Sequence, residues 1–160
     1  DWEQPIAFLP LEGGEVTAPD GASKENPAEA AWIARLLEGL LDAGELQQED
    51  IGIITPYAGQ VRAIRDSVPE KYDGVEVHTV DGYQGREKEV ILFSCVRSNS
   101  DGNVGFLADS RRLNVALTRA KRGLIVVGDP ETLRCDEDWA AWLEHVRSRN
   151  LEAWHLLGMA

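Results

Sequence analysis

Three short segments of this 160-residue chain carry side chains whose types and spacing could do chemistry. The first, Thr55-Pro56-Tyr57-Ala58-Gly59-Gln60, follows an apolar run. A threonine hydroxyl beside the free amides of a helix start is a natural phosphate contact, although ordinary turn-and-cap chemistry would use the same residues. The second, Thr79-Val80-Asp81-Gly82-Tyr83-Gln84-Gly85-Arg86-Glu87-Lys88-Glu89, joins two apolar runs. Its two glycines let the backbone approach a ligand. Asp81, Gln84, Arg86, Glu87 and Lys88 crowd donors and acceptors into a span where a plain loop would need only the glycines. The third runs from Arg111 to Lys121. On a helix it sets Arg112, Val115 and Arg119 along one face, Asn114, Thr118 and Lys121 along another, and Leu113 and Leu117 toward a core. A guanidinium fixed at Arg119, near the helix end, could reach the γ-phosphate of a nucleotide and stabilise the charge that develops there in hydrolysis. The same bases would also complement the helix C-terminal dipole.

Other chemistries lack their residues. The chain has no G-x-x-x-x-G-K-[ST], hence no phosphate-cradling loop of its own, and no G-x-S-x-G or Ser/His/Asp set. His78, His145 and His155 have no ligand-like spacing, so no metal site is expected. Asp109 reads as a cap or salt-bridge partner of the helix that follows it. Cys95 and Cys135 form no C-x-x-C pair and read as two reduced thiols in a cytoplasmic or nuclear protein. A small-molecule α/β enzyme would need a nucleophile or a dinucleotide loop, and neither is present.

The elements that must hold these segments follow from periodicity. Apolar runs at 6–11, 51–54, 75–80, 89–96 and 123–128 read as strands, and 89–96 and 123–128 are apolar enough to be covered on both faces. Residues 12–26 read as a loop. Asn26 then looks like an N-cap, with Pro27 at the first helical position and Glu29 three residues on. Ile33, Leu36, Leu37, Leu40 and Leu41 recur at helical spacing until Gly44, and the acids of that helix read as its solvated face. Further helices are expected over 59–68, 110–120 and 136–148, the last with Trp139, Trp142, Leu143 and Val146 on one face. The tail 151–157 is expected as an edge strand or docked extension. Buried strands alternating with helices imply an α/β layered fold with a mostly parallel sheet. Ligands of such sheets sit at the carboxyl ends of the strands, which singles out the loops 55–60, 79–88, 97–112 and 128–134.

Net charge at first opposes a polyanionic ligand. Twenty-eight acids against sixteen bases give −12. The charge is uneven, however: residues 1–50 carry −10, residues 131–160 carry −3, and residues 51–130 carry +1, with +4 in 86–122. The bases gather where the candidate chemistry lies. No apolar run is long enough to span a bilayer and no secretory signal is visible, so no membrane partner is expected. Asp1 stands where an initiator Met would, so an excised piece or a natural truncation is expected.

The strings VHTVDGYQGREKEVILFSCVRSN and GFLADSRRLNVALTRAKRGLIVVGD closely resemble motifs V and VI of superfamily 1B helicases, and IGIITPYAGQ resembles the strand and loop preceding motif V. The resemblance is to the Up-frameshift-like group, that of the nonsense-mediated-decay helicase, senataxin and the immunoglobulin mu-binding helicase. It spans about residues 4–150. L-T-R-A-K alone would also fit superfamily 1A; D-G-Y-Q-G-R-E-K-E selects 1B. It implies a RecA-like P-loop NTPase fold, the second of two motor domains, over 1–160, with a motif core at 51–130 and a C-terminal helix and tail at 136–160. ATP with Mg2+ would bind between this domain and a first RecA-like domain that holds most of the metal's ligands. Single-stranded DNA or RNA would cross their top with 5′→3′ polarity. By resemblance, Arg119 is the arginine finger, Gly85 and Glu87 lie near the ribose and γ-phosphate, and Gln84 and Arg86 couple nucleotide to nucleic acid. Thr55 and Thr79 would contact the nucleic-acid backbone, with Tyr57, Arg97 and Asn99 near them. The partner domain's Walker A lysine, Walker B acids and Q motif, and a Gln-Tyr-Arg-Met-His motif, are not in this chain, so the piece alone is expected to be inactive. A non-catalytic RecA-like module that binds nucleic acid or a partner is the alternative, although a docking domain needs no arginine finger.

Overall fold

A computed structural model describes residues 6–83 and 87–149. Five strands form one all-parallel sheet: β1 (Ile6–Pro10), β4 (Ile51–Thr55), β5 (Glu76–Thr79), β6 (Lys88–Ser94) and β7 (Ala120–Gly128), in the order β1-β7-β6-β4-β5. The helices are α1 (Pro27–Asp42), α2 (Ala58–Ser67), α3 (Ser110–Arg119), the single turn α4 (Pro130–Leu133) and α5 (Glu137–Ser148). This is the α/β, RecA-like architecture expected.

Alternation along the strands sends side chains to two cores. Ile54, Ile91, Phe93, Leu124, Val126 and Phe8 meet α3 and α5 on one face. Ile51, Ile53, Leu92, Val127 and Leu9 meet α1 and α2 on the other. Both faces of the sheet are therefore covered, which is why β6 and β7 read as unbroken apolar runs. The chain adds strands outward through α2 from β4 to β5, then returns across the sheet to β6 and continues through α3 on the opposite face to β7. The direction of growth reverses between β4 and β6. The crevice outside their carboxyl ends is the topological switch point, where open α/β sheets bind ligands.

Local chemistry explains the boundaries. The Asn26 side chain accepts from the Glu29 N–H at 3.1 Å, Pro27 opens α1, and Gly44 beyond its end is left-handed at φ 83°. Asp109, Asp129 and Asp136 cap α3, α4 and α5 in the same way. Asp109 also pairs with Arg111, as its position suggested.

Three expectations need correction. The loop over 12–26 contains a two-residue antiparallel ladder, β2 (Val16–Thr17) with β3 (Lys24–Glu25), closed by Asp20, whose carboxylate accepts from the Ala22 and Ser23 amides. β7 begins at Ala120, three residues early, because α3 passes directly into it and Ala120 pairs with Lys88 across a bulge. The acids of α1 are not all solvated: Glu29 is completely buried. The expected 151–157 extension lies outside the described residues.

Trp139 shows how α5 is held. Its ring is 1 % exposed, lies against Phe93 and Trp142, and donates from Nε1 to the Leu107 carbonyl at 2.9 Å. Trp139→Ala should lower unfolding stability by ~3–5 kcal/mol, from the lost apolar contact and the Leu107 carbonyl left without its donor. Urea denaturation of the chain measures this, and a loss below ~1 kcal/mol would show that α5 packs otherwise.

Candidate functional site

The candidate residues divide between the two ends of the sheet. Thr55, Tyr57, Thr79, Arg97 and Asn99 follow the carboxyl ends of β4, β5 and β6. Glu87 immediately precedes β6, and Arg119 immediately precedes β7, so these two stand at the amino ends, where Lys88 pairs with Ala120. The rule that ligands gather at carboxyl ends thus covers only the first set. Gln84, Gly85 and Arg86 lie outside the described residues.

At the amino end, Arg119 closes the last turn of α3. Its Nη1 approaches the Thr118 hydroxyl at 3.4 Å, while its Nε is buried without a hydrogen-bond partner among the described residues. A buried guanidinium N–H without an acceptor is costly, and an oxygen from a ligand or a water would relieve that cost. Glu87 is exposed. Lys88, by contrast, turns inward to the Glu49 carbonyl at 2.8 Å and Glu76 at 3.7 Å, and anchors the strand.

At the carboxyl end, most candidates are already engaged. The Thr55 hydroxyl is fully buried and donates to the Ser94 carbonyl at 2.9 Å, so it ties β4 to β6 and does not face solvent. Thr79 is half-buried, and its hydroxyl oxygen accepts from the Gly82 amide at 3.0 Å. Arg97 donates from Nε to Glu15 at 2.9 Å and from Nη1 to the Tyr57 hydroxyl at 3.0 Å. Asn99 donates to the same Glu15 oxygen at 3.0 Å and exchanges hydrogen bonds with the Asn103 backbone. Burial works to raise the Glu15 pKa, but donors from Arg97, Asn99 and the Ser98 amide hold it below the usual value. Glu15 is 82 residues from Arg97 and was not among the sequence candidates.

The switch-point crevice itself is filled by side chains. Ser94 donates to Glu29 Oε1 at 2.6 Å and accepts from Gln60 Nε2 at 3.0 Å. The Val96 amide donates to the same Glu29 oxygen at 2.9 Å. Gln60 accepts from the Asn26 amide, and the Asn26 side-chain amide donates to the Val96 carbonyl. Val96 has φ 72°, the left-handed region that a β-branched residue resists, and the Arg97 amide closes a three-residue turn on Cys95 at 2.8 Å. Glu29 therefore holds a strained turn whose next residue is Arg97. Sequence could not reveal this, because a glutamate three residues after an N-cap is the pattern of a solvated capping box. Burial pushes its carboxyl up to about 8; the Ser94 and Val96 donors work against that, and the Asp129 charge adds to it.

Among the described residues no three His, Cys, Asp or Glu are grouped to hold a metal, and no helix is long and apolar enough to cross a membrane. Both cysteines are free, Cys95 buried and Cys135 exposed.

Comparison with known proteins agrees with the motifs. A family described as "AAA domain" matches residues 1–131. A "Regulator of nonsense transcripts 1 homolog" of Neurospora crassa is 43% identical over 154 residues, which is 92% of this chain and 14% of that protein. The "DNA polymerase alpha-associated DNA helicase A" of Schizosaccharomyces pombe is 50% identical over 123 residues, 77% of this chain and 18% of that protein. The mouse "DNA-binding protein SMUBP-2" is 46% identical over 119 residues, 74% of this chain and 12% of that protein. The chain thus spans less than a fifth of the length of these relatives.

The raised Glu29 carboxyl has a sign that can be checked. The folded state holds this proton more tightly than the unfolded chain, whose value is near 4.5. Its contribution to stability is complete below that value and is lost as pH rises toward about 8. Glu29→Gln keeps the acceptor oxygen but cannot ionise. Between pH 5 and 9 the variant's Tm should therefore gain on the wild type, by roughly 5 °C or more across the window. A constant Tm difference would show that Glu29 does not titrate there.

Proposed function

The chain belongs to the AAA-domain family of superfamily 1B helicases, in the Up-frameshift-like group, and from this premise we propose that it is the second RecA-like motor domain of an ATP-driven translocase on single-stranded DNA or RNA. The observation that carries the reading is the Arg119 guanidinium, whose buried Nε has no partner among the described residues. A γ-phosphate oxygen would supply the missing acceptor, and the site therefore fits ATP. Bound ATP brings the phosphoanhydride whose cleavage powers movement. By the resemblance, its Mg2+ would be held mainly by the first RecA-like domain.

In this reading Arg119, at the end of α3, stabilises the negative charge that grows on the transferred phosphoryl oxygens. Glu87 stands at the same end of the sheet, next to Lys88, which pairs with Ala120, and faces the nucleotide. Toward the carboxyl end, Thr79 closes β5 and the buried Tyr57–Arg97 pair supports the loops that would line the strand. The buried Thr55 acts indirectly, fixing β4 against β6. α3 links the two ends, because it starts at Ser110 beside the carboxyl-end loops and delivers Arg119 to the amino end about 15 Å away. Closure of the nucleotide cleft would move α3 and, with it, the loops that grip the strand.

An arginine finger is worth roughly 10³–10⁵ in rate. In the intact protein, Arg119→Ala should lower nucleic-acid-stimulated ATP hydrolysis by at least about 10³-fold with single-strand binding retained. The isolated chain should show no steady-state turnover above its own Arg119→Ala control. Near-wild-type hydrolysis in the intact variant, or turnover by the isolated chain, would refute the assignment. An intact protein that binds strands and never hydrolyses ATP would point instead to a non-catalytic binding module.

A further inference from the structure

Two large apolar side chains are exposed among the described residues: Val16, in the short β2–β3 ladder, and Phe106, which is 54% exposed. Phe106 is not a loose surface residue. Its ring lies nearly parallel to Tyr57, with centroids 4.8 Å apart and planes at 17°. Tyr57 beneath it is 4% exposed, and its hydroxyl accepts both from Arg97 Nη1 and from the Phe106 amide at 3.1 Å. The Phe106 carbonyl accepts from Arg112 Nη1 at 2.6 Å. Gly105, before it, is left-handed at φ 54°, and a Cβ there would run into Arg97 Nη1 and the Tyr57 hydroxyl, so the seat under Phe106 requires glycine. A rigidly backed aromatic ring thus stands exposed among the described residues at the carboxyl end of the sheet, one face on Tyr57.

The surroundings give the occupant a charge. The Arg112 guanidinium carbon lies 5.2 Å from the Phe106 ring centroid. Its Nη1 is held by the Phe106 carbonyl, while its Nη2 reaches Asp81 at 3.2 Å, and the Asp81 side chain is 77% exposed, so an incoming anion would compete with a solvated carboxylate for Nη2. A flat apolar face with a cation at its side matches a nucleobase joined to its phosphate. Every base offers a π-face, so such a platform is tolerant of sequence, as a translocating motor requires.

We propose that Phe106, backed by Tyr57 and flanked by Arg112, is a stacking platform for one base of a single-stranded nucleic acid. This rests on the strand-binding reading given above and gives a role to a residue that lies at the start of the string resembling motif VI and had none there. Phe106 acts by contact with the base; Tyr57, Gly105 and Arg97 position it.

The test measures binding of the intact protein to two fluorescein-labelled 12-mers, oligo-dT and a strand of the same length made of abasic sites, without ATP. Phe106→Ala should weaken oligo-dT binding about tenfold and abasic binding less than twofold, while Phe106→Trp should bind oligo-dT within about twofold of wild type. Equal losses on both strands would overturn the proposal, since the ring would then support the loop and not the base. Unchanged binding to both would also overturn it. So would a fall in ATP hydrolysis with oligo-dT binding intact, which would mean that the ring meets another part of the protein. A wild-type protein that binds neither strand would defeat the strand-binding reading itself, whereas the other failures leave that reading standing.

Discussion

Everything at the carboxyl end of this sheet depends on one carboxyl group buried where open α/β sheets usually leave room for a ligand. Glu29 occupies the crevice between β4 and β6, with its Oε1 accepting from the Ser94 hydroxyl and the Val96 amide. Desolvating a carboxyl in such a place is costly, and two donors offset the cost only in part, which is why its proton is held so tightly. The arrangement secures the left-handed turn at Val96. That turn sends the chain from the end of β6 back across the sheet, so that Arg97 meets Glu15 and Tyr57, and Tyr57 supports Phe106. Relax Val96 to ordinary extended backbone and the Arg97 guanidinium points elsewhere, leaving the aromatic stack without its hydroxyl clamp. Gln60 and Asn26 tie the starts of α2 and α1 into the same cluster. The switch point is therefore a bolted joint, and the surface available to a ligand lies outside it, on the side chains it orients.

The second organising feature is α3, which leaves the carboxyl end of the sheet and delivers its last residue, Arg119, next to the paired starts of β7 and β6, where Glu87 also stands. The Arg112–Asp81 ion pair ties the first turn of α3 to the turn after β5. A displacement at the nucleotide side cannot be absorbed locally, because Leu113 and Ala116 pack α3 into the same core as Ile91, Phe93 and Val126. In the motor reading this is the physical link between phosphate and strand: a rigid helix with the finger at one end and Arg112, beside the stacking ring, at the other.

Much of this was legible in the residues. Alternation and apolar runs located all five strands of the sheet, because both faces are buried and the pattern has little freedom. Asn26-Pro27 and Gly44 bracketed α1 through backbone chemistry that is strictly local. The motifs marked the two loops that matter. What stayed hidden depends on distance or on burial. Glu15 and Arg97 meet across 82 residues. Glu29 has the same sequence context as a solvated capping residue and differs only in what α1 packs against. Thr55 reads as a loop hydroxyl and is a buried tie between strands. Phe106 has no role that the sequence reveals, and only the structure shows its ring exposed after the left-handed Gly105.

Charge gives the sharpest contrast between counting and geometry. The segment 86–122 is the basic part of an acidic chain, which suggests a positive surface gripping phosphates. Its bases are mostly engaged, however. Lys88 faces Glu76, Arg97 faces Glu15, Arg111 faces Asp109, Arg112 faces Asp81 and Arg122 faces Glu89, all within 4 Å. Pairing cancels much of the field that a long polyanion would feel, so in the motor reading this side of a strand channel would rely on hydrogen bonds and aromatic contact more than on free charge. Arg119 differs from these five. Its buried Nε has no partner among the described residues, and it lies at the opposite end of the sheet from Phe106. Arg97, Arg111 and Arg112 are paired toward the carboxyl end, whereas Lys88 and Arg122 are paired toward the amino end, where Arg119 keeps its buried Nε without a partner among the described residues.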